Sequence, residues 1–448
     1  MPSEPGQKFF NRTRGPNPRG PRRTLRKLRE KNDVGLNLGP DVADDGWRVP
    51  QVVTLADGTR IKLLKDGEAL KVALDAIATA EFRICFEFYT WANDATGRAF
   101  AKALIEKAKS GVRVYVIYDS FGCLGGNDRE MFRAMKKAGI RVAEFHPIRP
   151  WECNFSWRPF NRDHRKLIII DNRAAGTGGL NIADPYAGSW VAPNDLKPVQ
   201  LWRDTGMLIE GPAVRLFLAS FARTWTYLHK GGPINRASFN GGVNVPRSAK
   251  GNRIGVARQR PHGPELLEKD RLGLIATVPT LASPLRPILY GLIRSARRRI
   301  RMTMAYFAPD DELITALCEA AERGVKVELM FGAKSDAPLM LLAARAFYER
   351  LFSGGVKVYE RQFVILHAKT MLVDDIAVVG STNLDYRSIE FNCELSAVIR
   401  SATFAKEISK LFDHDKKYAK EIDQTAWKQR PWLTRVAQWI VTHFRQLL

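Results

Sequence analysis

The chain repeats itself on either side of a stretch rich in glycine, arginine and proline, and this repeat constrains the fold more than any other feature. Residues 70–84, LKVALDAIATAEFRI, parallel residues 285–300, LRPILYGLIRSARRRI, and each segment is a helical pattern that leads into a strand. Further helix-to-strand junctions, GVRV, GIRV and two copies of GVKV, occur at 111–114, 139–142, 324–327 and 355–358. Because helices alternate with strands in both halves, we predict two similar α/β lobes, each with a largely parallel or mixed sheet covered by helices.

The length and the apolar content of the chain allow two lobes of this kind. A chain of 448 residues exceeds one ordinary domain, and 45% hydrophobic residues suffice for two cores. We place the first lobe at 46–230 and the second at 271–425, joined by a Gly-, Arg- and Pro-rich linker at 231–270. A basic tail at 1–45 precedes the lobes, and an amphipathic helix at 426–448 follows them.

The formal net charge of +23 predicts an anionic substrate or partner, because a surface field of this strength concentrates negative ligands. Nucleic acid and acidic lipid both fit this charge. The tail is basic in its own right, with ten Lys or Arg against two Glu in the first 31 residues. It has too few large apolar residues to fold, and we interpret it either as a solubilising tail or as an electrostatic tether to phosphates.

The cysteine pattern and the hydropathy indicate the cellular compartment. Five cysteines are scattered without a CxxC pair, which suits neither a disulfide framework nor a zinc site and predicts a reducing environment. The N-terminal region lacks the apolar core of a signal peptide, and no run of about eighteen apolar residues occurs, so we expect no membrane span.

Each repeat ends in the pattern HxKxxxxD, which we expect to carry the chemistry. The two copies consist of His164, Lys166 and Asp171 and of His367, Lys369 and Asp374. Residues i and i+2 of a strand share a face, so the imidazole and the ammonium of each copy point the same way. For the two Asp we favour a structural role, since Asp at the end of a strand often caps backbone groups. Two matches at equivalent places of a repeat are not expected by chance.

A turn of small residues and an amide follow each motif strand. Gly179 in the first copy, with Gly380 and Ser381 in the second, let the backbone approach a substrate closely, and we expect them to contact it. Asn181 and Asn383 can each donate a hydrogen bond to a phosphoryl oxygen. Both copies therefore offer a neutral donor beyond the His and the Lys.

Transfer at a phosphodiester requires a nucleophile, an acid for the departing alkoxide, and positive charge around the equatorial oxygens. Two facing copies of the motif supply all three: one His attacks phosphorus, the other protonates the leaving oxygen, and the two Lys and two Asn hold the phosphoryl group. With this cationic cage we expect no metal and no cofactor. The sequence offers no cluster of carboxylates or histidines with convincing metal-ligand spacing.

The motifs and several phrases around them resemble the phospholipase D superfamily and, within it, the cardiolipin synthases. The similarity extends over about residues 60–400. The phrases are GGLNIAD at 178–184, WRDTG and IEGPAV within 202–214, YFAPDDEL at 306–313, GAKSDAP at 332–338, GSTNLDYRS at 380–388 and FNCE at 391–394. Because we expect no N-terminal transmembrane hairpin, the resemblance is to the shorter synthases.

The resemblance implies a fold and a set of supporting residues. Each lobe would be an α/β/α sandwich, and the lobes would pair about a pseudo-twofold axis with the active site between them. Glu394 would orient His164 and Asp204 would orient His367, because a carboxylate on the far ring nitrogen fixes the tautomer. Gly206 stands where the family often has His, which would alter phosphate or headgroup contacts.

Two segments suggest how the chain reaches a lipid surface. In the terminal helix, the apolar residues Trp432, Val436, Trp439, Ile440, Phe444 and Leu447 share one arc, and Arg435, Gln438, Thr442 and Arg445 lie opposite. This pattern fits a helix in the lipid interface or a helix docked on the protein core. The loop before the first motif, at 146–160, contains Trp151, Phe155, Trp157 and Phe160 beside Arg149 and Arg158. We interpret this loop as a membrane-dipping lid or as a wall of the substrate pocket.

These observations predict a phosphatidyltransferase that acts through a phosphatidyl-histidine, with His164 as the nucleophile by analogy with the superfamily. The resemblance implies phosphatidylglycerol as the donor, phosphatidylethanolamine as a further candidate, and the hydroxyl of a second phosphatidylglycerol as the acceptor. We expect a monomer bound to the anionic cytoplasmic face of a bacterial membrane, without a nucleic-acid partner. The alternatives are a phospholipase D-type hydrolase or a superfamily nuclease, and the two intact motifs argue against a non-catalytic lipid scaffold.

Overall fold

The computed structural model describes residues 47, 50–124, 128–148, 160–187, 202–230, 269–277 and 283–444. The predicted tail and nearly all of the linker lie outside the described residues, and so do most of the loop at 146–160 and the end of the terminal helix, with Arg445 and Leu447. The limits given above for the tail, lobes and linker therefore stay predictions.

The strands form two large sheets and a small ribbon. The first sheet contains β1 (Val53–Thr54), β2 (Arg60–Lys65), β3 (Arg83–Phe88), β4 (Arg113–Asp119), β5 (Arg141–Phe145), β6 (Lys166–Ile170), β7 (Ala174–Gly178) and β9 (Thr205–Glu210). The second contains β8 (Trp202–Arg203), β10 (Arg271–Ala276), β11 (Arg299–Met304), β13 (Lys326–Lys334), β14 (Lys357–Leu366), β15 (Lys369–Val373), β16 (Ile376–Gly380), β18 (Leu395–Arg400) and β19 (Ala419–Glu421). The ribbon pairs β12 (Phe307–Ala308) with β17 (Leu384–Asp385).

The helices of the first half are α1 (Glu68–Ala78), α2 (Ala95–Lys109), α3 (Asp128–Lys137), α4 (Asp184–Ala187) and α5 (Val214–Lys230). Those of the second half are α6 (Leu285–Ser295), α7 (Asp311–Glu322), α8 (Pro338–Ala346), α9 (Tyr348–Ser353), α10 (Tyr386–Glu390), α11 (Ala402–Lys416), α12 (Gln424–Lys428) and α13 (Trp432–His443).

Seven strands of each sheet share one order, β2 to β5 in the first and β10 to β14 in the second, which confirms the predicted repeat. The first runs β1-β2-β9-β7-β6-β3-β4-β5, and the second runs β10-β18-β16-β15-β11-β13-β14-β19. In each sheet three successive strands, β3-β4-β5 and β11-β13-β14, are parallel, whereas the motif strands β6 and β15 pair antiparallel with β3 and β11. Both sheets are therefore mixed.

Left-handed glycines mark equivalent junctions in the two lobes. Gly111 and Gly139 come shortly before β4 and β5, and Gly324 and Gly355 come shortly before β13 and β14. All four have φ between +78° and +93°, a region that is costly for a residue with a Cβ. The repeated GVRV, GIRV and GVKV phrases thus end a helix and begin a strand.

Each sheet packs helices on both faces, as expected for an α/β/α sandwich. One face of the first sheet carries α1 to α4 over a core that includes Ile168. One face of the second carries α6 to α9 over a core that includes Ile300. The remaining faces share a single core to which both lobes contribute, with Phe217 of α5 and Phe404 of α11 among its members.

The terminal helix α13 docks on the protein through the face opposite its apolar arc. Gln438 is buried and accepts a hydrogen bond from Arg430 Nε at 3.0 Å, and Val441 packs against a small cluster that includes Met340 of α8. The large apolar residues Trp432, Leu433, Val436, Trp439, Ile440 and Phe444 face outward and are 44 to 69% exposed. Within the described part of the chain, no helix is both long and apolar enough to cross a membrane.

Candidate active site

Backbone pairing with the other lobe holds each motif histidine. In the first motif, Asp163 forms a parallel bridge with Cys393, and the His164 amide donates to the Cys393 carbonyl at 2.9 Å. In the second, β8 pairs with the end of β14, and the His367 amide donates to the Arg203 carbonyl at 2.8 Å. The two connections are equivalent under the repeat, so docking of the lobes brings both motifs to one site.

A buried carboxylate from the opposite lobe contacts each imidazole. Glu394 Oε1 and Oε2 lie 3.1 and 3.3 Å from His164 Nδ1. Asp204 Oδ2 lies 2.7 Å from His367 Nδ1. The cross-lobe pairs implied by the resemblance are therefore present as contacts. Because each Nδ1 faces a carboxylate, Nε2 is the ring nitrogen that can address a substrate.

The two motif lysines open β6 and β15 and are buried beside their histidines. Lys166 Nζ donates to the His164 carbonyl at 2.7 Å, and Lys369 Nζ lies 2.9 Å from His367 Nδ1. Burial and the charge of the other lysine lower the pKa of Lys166 to about 7, and burial lowers the pKa of Lys369 to about 8. Both ammonium groups thus titrate near neutrality in the free protein, and an anionic phosphodiester between them favours their charged forms.

Burial also favours neutral imidazoles. It lowers the pKa of His367 to about 4, and together with the charge of Lys166 it lowers the pKa of His164 well below its usual range. Burial raises the pKa of Glu394 to about 8, against the charge of Lys166. A neutral imidazole keeps a lone pair on one ring nitrogen, which nucleophilic attack on phosphorus requires.

The two predicted amides are buried in different surroundings. Asn181 Oδ1 accepts a bond from the Thr90 amide at 3.2 Å, and its Nδ2 donates to the Tyr186 hydroxyl at 2.9 Å. Asn383 Oδ1 is buried and has no hydrogen-bond partner among the described residues. Because an unpaired buried amide oxygen costs free energy, Asn383 has an unused capacity to bind a ligand hydroxyl.

The small residues that were expected to contact substrate pack against the carboxylates and their strands. A Cβ at Gly179 would lie 2.2 Å from Asp204 Oδ1, so only glycine fits there. Ser381, at the equivalent position, donates its hydroxyl to the Glu394 carboxylate. A Cβ at Gly380 would lie 2.3 Å from a backbone carbonyl oxygen of β18. In this structure the three positions support the groups that orient the histidines.

The aspartate of each motif binds backbone. Asp171 accepts hydrogen bonds from the amides of residues 81–83 at 2.7 to 2.9 Å. Asp374 accepts from those of residues 297–299 at 2.9 to 3.0 Å. Each therefore ties the end of its motif strand to the start of the neighbouring strand, β3 or β11. These contacts are those of a backbone cap.

Four aromatic rings surround the histidines, and no sequence pattern noted above indicated them. Tyr89 lies edge-on to His164 with ring centroids 5.0 Å apart, whereas Tyr186, Trp202 and Tyr306 lie 5.2, 5.2 and 6.2 Å from His367. Burial raises the pKa of all three phenols, so they remain neutral hydrogen-bonding groups. Trp202 and Tyr306 could have been found from the sequence, because they lie in WRDTG and YFAPDDEL, two of the segments that carry the family resemblance.

The positive charge of the site comes from its lysines. Among the described residues, no group of three or more His, Cys, Asp or Glu side chains is arranged to hold a metal ion. Two lysines with two neutral amides are groups that can stabilise a phosphoryl oxyanion, and two histidines with carboxylate partners can exchange a proton and a phosphoryl group.

Comparisons with known proteins show a family likeness over most of the chain. A family model described as cardiolipin synthase, PLD-like domain, matches residues 73–189 and 289–416. Cardiolipin synthase 1 of Bacillus anthracis is 30% identical over 434 residues, which cover 93% of this chain and 79% of the relative. Cardiolipin synthase 1 of Staphylococcus aureus strain MRSA252 is 33% identical over 384 residues, which cover 84% of this chain and 71% of the relative.

The same fold occurs among solved structures. Phosphatidylserine synthase of Haemophilus influenzae Rd KW20 superposes with a TM-score of 0.64 at 14% identity, over 90% of this chain and 98% of that one. At this identity the likeness shows the two-lobed fold alone.

Proposed function

The chain belongs to the cardiolipin synthase family of phospholipase D-like proteins, and from this premise we propose that it joins two phosphatidylglycerol molecules through a phosphatidyl-histidine. Relatives named cardiolipin synthase, which match most of the chain, make it a phosphatidyltransferase-type enzyme. The observation that carries the mechanism is the pairing of each motif histidine with a carboxylate of the other lobe. Such a pair can serve as a nucleophile on one side of phosphorus and as an acid on the other.

In the first half-reaction, Nε2 of His164 attacks the phosphorus of the donor. The bond from phosphorus to the headgroup oxygen breaks, and a proton from Nε2 of His367 passes to that oxygen, so that glycerol leaves as a neutral alcohol. Lys166 and Lys369 neutralise the phosphoryl oxygens. Burial and the lysine charges lower the pKa of His367 in the free protein, and the bound anion acts in the opposite direction, which favours the imidazolium required here.

In the second half-reaction, a hydroxyl of another phosphatidylglycerol attacks the same phosphorus. His367, now neutral, takes the hydroxyl proton, the nitrogen–phosphorus bond breaks, and His164 is regenerated. Cardiolipin is released, and His367 has given and regained one proton. The acceptor headgroup carries a second hydroxyl, and we assign it to the unpaired side-chain oxygen of Asn383.

The two carboxylate contacts support the assignment of His164 as nucleophile and His367 as acid. The Asp204 contact to His367 is 2.7 Å long, whereas the Glu394 contacts to His164 are 3.1 and 3.3 Å. A shorter charge-assisted hydrogen bond stabilises an imidazolium better, and the acid is the histidine that must carry the extra proton.

We further propose that α13 binds the anionic cytoplasmic face of the membrane, with the enzyme as a monomer. Its outward face presents two tryptophans, Trp432 and Trp439, with Phe444, each more than half exposed. Contiguous exposed apolar surface of this kind marks a docking site, and an aromatic helix face suits the lipid interface. The formal net charge of +23 adds attraction to anionic lipid.

One assay tests the activity. Purified protein is mixed with vesicles that contain labelled phosphatidylglycerol, and the lipid products are separated by chromatography. Cardiolipin with an equal amount of glycerol is the expected result. Phosphatidic acid in place of cardiolipin would show a phospholipase D-type hydrolase, and a plasmid-nicking assay under the same conditions is expected to show no cleavage. Repeating the assay with phosphatidylethanolamine as donor identifies the headgroups that the site accepts.

Membrane binding has its own test. Vesicle flotation is expected to carry the wild-type protein with anionic vesicles and to leave it behind with neutral ones. Trp432→Ser with Trp439→Ser is expected to reduce flotation. Phe82→Ser, which removes a 41% exposed aromatic side chain from the first lobe, serves as the control. Equal flotation of both variants would remove α13 from the membrane contact.

A further inference from the structure

Thr277 holds the backbone of the turn that carries Glu394. It follows β10 directly and is 4% exposed. Its amide donates to the Glu394 carbonyl at 3.0 Å, and its hydroxyl accepts a hydrogen bond from the Glu394 amide at 2.7 Å. The hydroxyl donates its own proton to the Asn392 carbonyl at 2.8 Å. The hydroxyl of Thr277 therefore binds the chain on both sides of Cys393.

The same turn also holds the histidine. The Cys393 carbonyl accepts a hydrogen bond from the His164 amide at 2.9 Å, and the next residue, Glu394, contacts the His164 ring. Arg165, which follows His164, donates to the carbonyl of Thr277. Thr277 thus contacts both the second-lobe turn that supplies the carboxylate and the first-lobe segment that supplies the imidazole.

The link through Arg165 is stiff, because its guanidinium is buried and paired. It donates to Glu87 Oε1 at 3.0 Å and also to the hydroxyl of Thr224. Separating a buried ion pair leaves an uncompensated charge, which is costly in free energy. The carbonyl of Thr277 is therefore held at a fixed place relative to the first lobe.

The equivalent place in the other half of the site is built differently. Asp66 follows β2 as Thr277 follows β10, and it exchanges two hydrogen bonds of 2.8 and 3.0 Å with the backbone of Asp204. A carboxylate only accepts hydrogen bonds, so it cannot donate to the carbonyl on the other side of the turn. Ala368 stands in the place of Arg165 after the motif histidine. Thr277 therefore provides two links that the other half does not have among its described residues.

We propose that Thr277 is a positioning residue that fixes Glu394 and His164 relative to each other. The inference rests on the proposed function, in which His164 attacks phosphorus. The Glu394 oxygens lie 3.1 and 3.3 Å from His164 Nδ1, and a separation of about 3.6 Å is no longer a hydrogen bond. A displacement of the turn by about 0.5 Å would therefore break the contact. By holding both partners, Thr277 keeps the imidazole in the tautomer and orientation that the attack requires.

The ring-nitrogen resonances of isotope-labelled histidine report the contact directly. The Nδ1 resonances of His164 and His367 are identified by their loss in the corresponding alanine variants. Thr277→Val keeps the shape and the backbone bonds of Thr277 and removes its hydroxyl. In this variant the His164 resonance is expected to shift, because the bond to Glu394 lengthens, whereas the His367 resonance keeps its position. An unshifted His164 resonance would overturn the proposal.

The rate of phosphoryl transfer to His164 provides the second readout. With bis(nitrophenyl) phosphate, Nε2 of His164 bonds to phosphorus and nitrophenolate leaves with the bond electrons, so no acid is required. Thr277→Val is expected to slow formation of this adduct about five- to tenfold, as for the loss of a buried hydrogen bond. Thr277→Ser, which restores the hydroxyl, should recover a rate within about twofold of wild type.

Thr59→Val is the matched control. Thr59 is buried like Thr277, and its hydroxyl accepts a hydrogen bond from the Ala213 amide at 3.2 Å, at the end of β2 that lies opposite to Asp66. This variant should keep both the adduct rate and the His164 resonance of the wild-type protein. An equal slowing in both valine variants, or a loss that Thr277→Ser does not recover, would contradict a positioning role.

These outcomes are separate from those of the proposed function. A wild-type protein that forms the adduct and makes no cardiolipin would remove the lipid reaction and leave the comparison of the Thr277 variants intact. A protein that forms no adduct would remove His164 as the nucleophile, and the resonances would still decide whether Thr277 fixes the pair. If Thr277→Val does not fold, Thr277→Cys, whose thiol is only a weak donor and acceptor, gives the same comparison.

Discussion

The two halves of the active site share a backbone and differ in the side chains that support their histidines. In both, strand pairing with the other lobe delivers a carboxylate to Nδ1. For His367 this is Asp204, which fits against Gly179 and lies 2.7 Å from the ring. For His164 it is Glu394, which lies 3.1 Å away and accepts a hydrogen bond from Ser381. A duplicated scaffold thus supports each histidine differently, as two different roles require.

The turns that carry Asp204 and Glu394 also differ in the groups that hold their backbone. The Asp204 amide donates to the carboxylate of Asp66 at 2.8 Å, whereas the Glu394 amide donates to the hydroxyl of Thr277 at 2.7 Å. Arg203, next to Asp204, also makes two bonds of 2.8 Å to the buried carboxylate of Asp415 in the other lobe. Charged groups therefore flank the backbone that carries the carboxylate of the proposed acid, whereas a neutral hydroxyl accepts from the backbone amide of Glu394, beside the proposed nucleophile.

Replacing the histidines should lower turnover more than the other substitutions do. The two variants should also differ in whether a covalent adduct forms. His164→Ala and His367→Ala are each expected to lower turnover about 10⁴-fold or more, because they remove the nucleophile and the general acid. With a donor whose leaving group is a nitrophenolate, which needs no proton, His367→Ala should still form a covalent adduct on His164, detected by mass spectrometry. His164→Ala should form none.

An adduct on His367 in the His164→Ala protein would reverse the assignment. Turnover near the wild-type rate in either variant would remove the two-histidine mechanism. His229→Ala, at an exposed histidine of α5 whose ring contacts Trp225 of the same helix, provides the control for the substitution itself and is expected to keep turnover.

The carboxylates should give the next largest effects, and unequal ones. Asp204→Asn is expected to lower kcat about 10²-fold and Glu394→Gln about tenfold, because the acid depends more on an ionised partner than the nucleophile does. Glu360→Gln is the matched control, since Glu360 is a buried carboxylate that binds Arg345 and not a histidine. Equal losses of kcat in the two variants would show that the halves perform equivalent work.

The pKa values of the two lysines predict how kcat/KM depends on pH. Because the two values differ, substitutions of Lys166 and of Lys369 should change this dependence differently. Burial places the pKa of Lys166 at about 7 and that of Lys369 at about 8, below the usual range, so both lose their charge as the pH rises through these values. Because the charged forms bind the phosphate, kcat/KM should fall as the pH rises above about 7. Lys166→Arg keeps its charge at any pH and should move this fall upward by about one pH unit, to the pKa of Lys369.

Lys369→Arg is the matched variant and should leave the fall in kcat/KM near pH 7, where Lys166 still titrates. The profile is measured with vesicles of constant composition and with protein stability checked at each pH. A fall that neither variant moves would exclude the lysines as its cause.

The shared backbone of the halves was predictable from the sequence, whereas their asymmetry was not. The HxKxxxxD motifs and the Gly111 and Gly324 junctions are local signals, because strand alternation and left-handed turns depend on nearby residues. The pairing of β8 with β14 depends on how the lobes dock, and the residues between β7 and β8 contain no pattern that reports it. The carboxylate partners were found only through the family resemblance. Tyr89 could not be predicted as a site residue from the repeat, because the second repeat has no tyrosine at the equivalent position.

Ser381→Gly should lower kcat least of the substitutions discussed. It compares the two halves directly, because it places in the second half the glycine that the first half has at Gly179. Loss of the hydroxyl removes its hydrogen bond to Glu394 and the one that it accepts from the Leu395 amide, and kcat is expected to fall about three- to tenfold because the Glu394 bond is the one that acts on His164. The same substitution at Ser295, whose hydroxyl binds only a helix carbonyl, is the control for stability and should leave kcat unchanged. A larger loss of kcat than that of Glu394→Gln would contradict this role, since support of Glu394 cannot exceed the contribution of the carboxylate itself.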